Sequence, residues 1–353
     1  MKRIAQIRVL ALATLSAGIV CAPLLQAQED PTLDATRRVF GYIGPGFRAV
    51  RRGPDGSYYV LAPPPPPPAA PVKPFTASKV PPPPSPAVLV FDSRGKELRH
   101  IPAQTRPGEV VSPSALDLDT SGRVYIADQS ANSVSVYTAS GTLVAHFLVP
   151  EPTQIVALPH DQFAVCSANA DRLIAVYDLQ GKLLREFGEM EDLSDDPELN
   201  HRLNAGHLAA DKAGNLYFAF RYLPEPTVRK YDSASGLLLD ELSLTTLDLQ
   251  PMAQSARQEI ARAGSGKPVN PHEIVSAFGM DPETQEFWLA LGNLLIHFDN
   301  ADNITASNRI YTTYAIRMVP NSILVEKDHL LLSNDPLGIY EFARSSASVH
   351  RSE

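Results

Sequence analysis

The chain has 353 residues, 44% hydrophobic and 20% charged, with 31 Lys and Arg against 39 Asp and Glu for a formal net charge of -8. That length and apolar fraction fill one large core or two ordinary ones. The acidic balance disfavours a polyanionic partner, so no nucleic acid is expected.

Lys2, Arg3 and Arg8 form a basic start, Val9 to Val20 is mostly apolar, and Leu25-Gln26-Ala27 precedes Gln28-Glu29-Asp30. Residues 1–27 therefore read as a secretory signal peptide, with an apolar run too short to span a bilayer. The expectation is export to the periplasm or beyond the cell, with no stable membrane insertion after cleavage. Cys21 follows Val20, where a lipobox needs a small residue, so lipidation is not expected. Cleavage leaves 28 bases against 39 acids, a charge of -11. It also leaves Cys166 alone in the apolar run Phe163 to Cys166, where a buried inert thiol is expected and no intramolecular disulfide is possible.

Residues 28–36 carry no periodic signal and are expected to be a disordered lead. Arg38 to Ile43 is strand-like. Phe47 to Val50, the turn Gly53-Pro54-Asp55-Gly56 and Tyr58 to Leu61 follow, then Ala87 to Phe91 and Glu97 to Ile101. Between Leu61 and Ala87, residues 62–86 hold 13 of the 32 prolines, which cannot donate to a sheet ladder, so this insertion must leave the sheet as a loop. The clearest unit is Pro113 to Val149. Its four apolar runs, Ala115 to Leu118, Val124 to Ala127, Val134 to Tyr137 and Leu143 to Phe147, alternate or are β-branched and are closed by turns at Gly122 and Gly141. That is a sheet of four antiparallel strands.

A third set runs Ile155 to Leu158, Phe163 to Cys166, Leu173 to Tyr177 and Leu183 to Phe187. A fourth is Leu208 to Ala210, Leu216 to Phe220, Val228 to Tyr231 and Leu237 to Leu242. A fifth is Ile274 to Phe278, Phe287 to Leu291, Leu294 to Phe298 and Ile304 to Ile310. The last has Ala315 to Val319, Ile323 to Val325 or His329 to Leu332, and Ile339 to Phe342, which is one strand short. Arg38 to Ile43 would supply it and close the ring. An aromatic recurs in the third strand as Phe91, Tyr137, Tyr177, Tyr231, Phe298 and Tyr340. Two further inserts are expected: an acidic loop at 188–206, and an amphipathic helix within 245–270, from Pro251 to about Gly264. Residues 344–353 read as a polar tail.

The blade pattern, an apolar strand, Asp-x-x-Gly, an apolar strand ending in Ala127-Asp128, Val134-x-Val136-Tyr137 and a closing Gly turn, resembles the NHL repeat. It is closest over Ala115 to Phe147 and fairly close over Leu208 to Leu242. The resemblance implies an all-β, six-bladed β-propeller over residues 37–343, with a central channel and sites on one face. It implies no single activity.

At the channel mouth the candidates are His201, His207 and His272 with Asn204 and Asn270; His207, His272 and Asn204 are the ligand-binding set expected there. If Asp119, Asp211 and Asp281 are equivalent, the residues matching His207 are Ala115 and Ala277, so no ring of metal ligands forms and no metal or other cofactor is expected. The acidic run Glu186 to Glu198 lacks the alternating spacing of a calcium loop. No nucleophile elbow or phosphate-cradling loop occurs. Asp128 and Asn132 are expected to bind their own hairpin backbone, and Trp288 to be core. The resulting expectation is a monomeric binding or scaffolding module of the cell envelope, for a protein or small-molecule ligand, more a binder than an enzyme. The alternative is a metal-dependent, lactonase-like lyase or hydrolase at the propeller axis.

Overall fold

The computed structural model describes residues 31–41, 43, 46–61, 87–102, 110, 112–265 and 270–344. The expected signal peptide, the proline-rich insertion 62–86 and residues 345–353 of the tail lie outside the described residues.

The described strands form six sheets with an antiparallel meander at the heart of each, two of them extended at the outer edge by a strand from the N-terminal side. Blade one is Ala49–Arg52, Tyr58–Leu61, Val88–Phe91 and Glu97–Ile101. Blade two is Pro113–Leu118, Val124–Asp128, Ser133–Tyr137 and Leu143–Leu148. Blade three is Pro152–Leu158, Gln162–Ser167, Ile174–Asp178 and Leu183–Phe187. Blade four is Gly206–Ala210, Asn215–Phe220, Thr227–Asp232 and Leu238–Ser243. Blade five is Ala277–Met280, Phe287–Leu291, Leu294–Phe298 and Ile304–Tyr311. Blade six is Ser322–Val325, His329–Asn334 and Gly338–Ala343, joined on its outer edge by Arg37–Val39. Arg38 pairs with Tyr340 in that ladder, and the Arg37 guanidinium lies 2.6 Å from Glu341, so the two ends of the chain share one sheet.

Packing between blades explains the sequence pattern. In blade two every residue of the second and third strands is buried, whereas the outer strand Leu143–Leu148 is mostly exposed. Middle strands are covered on both faces by neighbouring blades, so they read as continuous apolar runs. Six apolar clusters lie one at each blade interface, anchored by such residues as Tyr59 and Ile126, Tyr125 and Phe163, Phe218 and Ile174, Phe287 and Tyr217, Trp288 and Leu332, and Val60 and Leu331. Each fully buried large side chain contributes roughly 1.5–3 kcal/mol. At the strand one to two and three to four turns, a side-chain oxygen replaces missing backbone partners. Asp119 Oδ1 accepts the N–H groups of Ser121 and Arg123, both at 2.9 Å, and Gly122 takes φ of 81°. Asp92 and Asp178 do the same two and four residues on. This is why Asp-x-x-Gly recurs.

Four expectations are corrected. Thr32–Asp34, within the expected disordered lead, pairs in parallel with the end of Ile304–Tyr311 as a fifth strand of blade five, because that long outer strand leaves a free edge and Ala35 enters the adjoining core. Residues Ala315 to Val319 form no strand; Ala315 takes φ of 56°, and the two alternatives offered after it, Ser322–Val325 and His329–Asn334, are both strands. In blade six the aromatic equivalent by register is Phe342 opposite Leu330, not Tyr340, which sits opposite Leu332. The acidic stretch contains a short helix, α1 (Pro197–Leu203), because Asp196 caps it and Pro197 begins it. The longer helix α2 (Gln250–Gly264) lies where the apolar stripe predicts it. None of the described helices is long and apolar enough to cross a membrane.

A candidate ligand site at the axis and beside it

The inner strands run from one mouth of the ring toward the other. The chain enters them at Ser112–Pro113, Pro152, Gly206, Ser276 and Asn321, and the strand two to three connections at Asp128 to Asn132, residues 168–173 and Arg221 onward lie on that same face. Leu61 and Ala87, which bracket the proline-rich insertion, and both helical inserts also belong to it. Side chains tie these connections together. Asp128 accepts the N–H of Ala131 in its own hairpin, as expected, and also that of Ser112 ahead of the blade's first strand, whereas Asn132 Oδ1 accepts from Glu151 of the next connection at 2.8 Å.

Two cavities open here. The axial one, about 310 Å³, is lined by Arg51, Ser114, Gln154 and His207 from the inner strands of successive blades, by Arg48 just ahead of one, and by Arg221 just past the second strand of blade four. The other, about 570 Å³, is a cleft between blades three and four beneath α1. Gln129, Thr153 and Arg221 line both, so the two adjoin across a shared wall.

The cleft is braced from the sequence upward. Asn200 Oδ1 accepts the N–H of Leu193 at 2.8 Å, and Asn204 accepts from Glu191 N–H at 2.8 Å while its amide donates to the carbonyl of Glu191 at 2.9 Å. Arg229, from the third strand of blade four, donates to the Glu189 carbonyl at 2.7 Å and pairs with Glu191 and Glu241. Leu199 and Leu203 of α1 pack on Ile260 of α2, so the two inserts form one small core. Gly206 permits the closest approach: a Cβ there would stand 2.3 Å from Phe218 Cζ. Cys166 is buried in the cleft wall, where burial pushes its thiol well above the ordinary range and leaves it inert.

At the axis, His207 Nε2–H donates to the Val275 carbonyl at 3.2 Å. Burial, helped by the nearby Arg221 charge, lowers its pKa to about 3, so the ring is neutral with Nε2 protonated. Asp117 stands 3.3 Å from Arg51; burial raises its pKa, against the pull of Arg51 and of the Ala157 N–H. Arg221 pairs with Glu273, yet its Nε is buried with no hydrogen-bond partner.

The expected ligand set does not converge. His207 lines the axis and Asn204 the cleft, its amide occupied in bracing the insert. His272 is exposed and bonded through Nδ1 to Glu259 of α2 at 2.9 Å, while Asn270 is exposed and His201 lies on the cleft rim 4.0 Å from Asp171. Among the described residues no three His, Cys, Asp or Glu side chains gather into a group able to hold a metal ion. Sequence reasoning missed the arginines at the axis. Their signal was present, since a charged residue inside an inner strand, as at Arg51 and Asp117, occupies a position that packing alone would make apolar.

Fold and mouth together define a six-bladed β-propeller with a braced cleft beside its axis. Among solved structures it is similar to virginiamycin B lyase from Staphylococcus aureus, at 13% identity over 87% of each chain with a TM-score of 0.50. It is likewise similar to a streptogramin B lyase, at 13% identity over 88% of this chain and 87% of that one with a TM-score of 0.51. The β-propeller domain of Cps50 (Swd1) from Myceliophteria thermophila matches at 8% identity over 88% of this chain and 99% of that one, with a TM-score of 0.50. No protein-family model matches the chain, and no curated protein matches it by sequence. At such identities the likeness shows the fold alone.

Proposed function

We propose that this chain is an exported propeller of NHL-like type that works in the cell envelope as a monomeric binding module, and that its ligand is a small molecule held in the cleft between blades three and four. The observation that carries the reading is the cleft itself: about 570 Å³, adjoining the axial cavity and braced by hydrogen bonds from Asn200, Asn204 and Arg229. Preformed cavities of roughly 300–1,000 Å³ with mixed walls are what small ligands occupy. Export rests on the basic start and apolar run of residues 1–27.

The alternative, a metal-dependent lyase or hydrolase, draws on the fold likeness to the streptogramin lyases. The donor set does not fit a metal: His207 turns its N–H to a backbone carbonyl, and His272 and Asn204 have separate structural partners. The test is mass spectrometry of small molecules released from natively purified, signal-cleaved protein, comparing wild type with Ala170→Trp, which fills the cleft, and measuring metal content on the same samples. A compound released by wild type and lost in the variant is the expected result. Identical profiles contradict the proposal, and one tightly held metal per chain would put the lyase reading ahead.

A further inference from the structure

We infer that the cleft and the axial channel together bind an amphipathic organic anion, its charged head at Arg48 and Arg221 in the channel mouth and its apolar body in the cleft. This rests on the cleft being the ligand site.

The first observation is a reversal of charge. The chain carries a net charge of -8, yet the two cavities are lined by five arginines, Arg48, Arg51, Arg172, Arg202 and Arg221, against two carboxylates, Asp196 and Glu198, with Asp117, Glu189 and Glu273 behind the lining pairing Arg51, Arg172 and Arg221. No carboxylate lines the axial part. Of the two acids in the cleft, Asp196 already accepts the N–H groups of Glu198 and Leu199 as the cap of α1.

The second observation is unused donor capacity where the cavities meet. Arg51 has Asp117. Arg221 lines both cavities and retains a buried Nε without a hydrogen-bond partner beside its pairing with Glu273. Arg48 is exposed at the mouth, with no side-chain hydrogen bond or ion pair among the described residues. A buried guanidinium N–H left open is expensive, and an oxyanion satisfies it with a charge-assisted bond. His207 adds no charge, so the arginines alone set the sign of the head group.

The third observation is the wall opposite. Leu173, Met190, Leu199 and Phe218, with Cys166, contribute apolar atoms to the cleft, whose wall also carries Arg172, Arg202 and Arg221. A purely inorganic anion would leave that surface wet. A charged head on an apolar body fits both halves.

The test is a calorimetric titration of the signal-cleaved protein with decanoate, decylphosphonate and the neutral decanamide. At least one anion is expected to bind tenfold or more tightly than the amide, with an affinity that falls as salt rises; which anion leads separates carboxylate from phosphate-type heads. Arg48→Gln, at an exposed position, and Arg221→Gln should each lower anion affinity at least fivefold and leave decanamide unchanged, and Ala170→Trp should abolish all three. If decanamide binds as tightly as both anions, the cleft remains a ligand site and the anion inference is wrong. If no compound binds saturably, the anion inference is wrong, and the cleft reading is decided separately by the compound released from wild type and lost in Ala170→Trp.

Discussion

The two faces of the ring differ in what their connections do. On one, turns such as Asp119 to Gly122 and Asp178 to Gly181 are short and closed by their own aspartates, and their charges pair locally, as Arg123 does with Asp119 and Asp161. On the other, the connections are long, pack on each other and enclose the two cavities. The same sheets serve both. A turn that satisfies itself fixes a blade and leaves nothing over, whereas a connection tied to distant backbone can hold polar groups open toward a cavity.

The comparison breaks most sharply at Gly206, where inner strand and cleft meet. Gly206→Val should destabilise the protein by about 3 kcal/mol in urea unfolding, because a Cβ would stand 2.3 Å from Phe218 and 2.8 Å from the Ala219 carbonyl oxygen. Leu203→Ala, fully buried between the helical inserts, should cost about 2 to 3 kcal/mol. Its mark should be local: faster hydrogen exchange over residues 191–206 while the six sheets stay protected.

On the short-turn face, Asp119→Ala should cost about 1 to 2 kcal/mol and leave the cleft intact. Burial alone would raise the Asp119 pKa, but the Ser121 hydroxyl and Arg123 hold it below the usual carboxylate value. Its stabilisation is therefore present above the unfolded carboxylate pKa and lost as pH falls through the lowered folded one, and the variant should show a flatter acid limb. On the opposite face the sign belongs to a base. His207 has a folded pKa of about 3 against 6.5 unfolded, so the unfolded chain takes up the proton first and stability falls as pH drops below 6.5. His207→Gln should remove a pH dependence of about 2 kcal/mol between pH 7 and 5 in urea unfolding free energies. Smallest is Arg37→Ala at the ring closure, where an exposed pair with Glu341 predicts less than about 1 kcal/mol.

The blades were legible because middle strands need continuous apolar runs and short turns need Asp and Gly at fixed places; Val124 to Ala127 and Asp119 to Gly122 announce themselves. Thr32–Asp34 was not legible, since a three-residue parallel edge strand depends on an open edge some 275 residues further on. The sixth aromatic was misplaced by spacing alone, and strand register moves it to Phe342. The site was half visible. Histidines and Asn204 drew attention by residue type, yet Asn204 braces α1 and His272 faces Glu259. The arginines converge only when blades far apart in sequence close into a ring.

The most direct test of the long-connection face as the working face is hydrogen exchange of the protein expressed without residues 1–27, with and without saturating decanoate. Protection is expected at residues 168–173, 197–206 and 221–222, with the turns at 119–122 and 178–181 unchanged. Protection confined to those short turns, or to the outer strands, would contradict it.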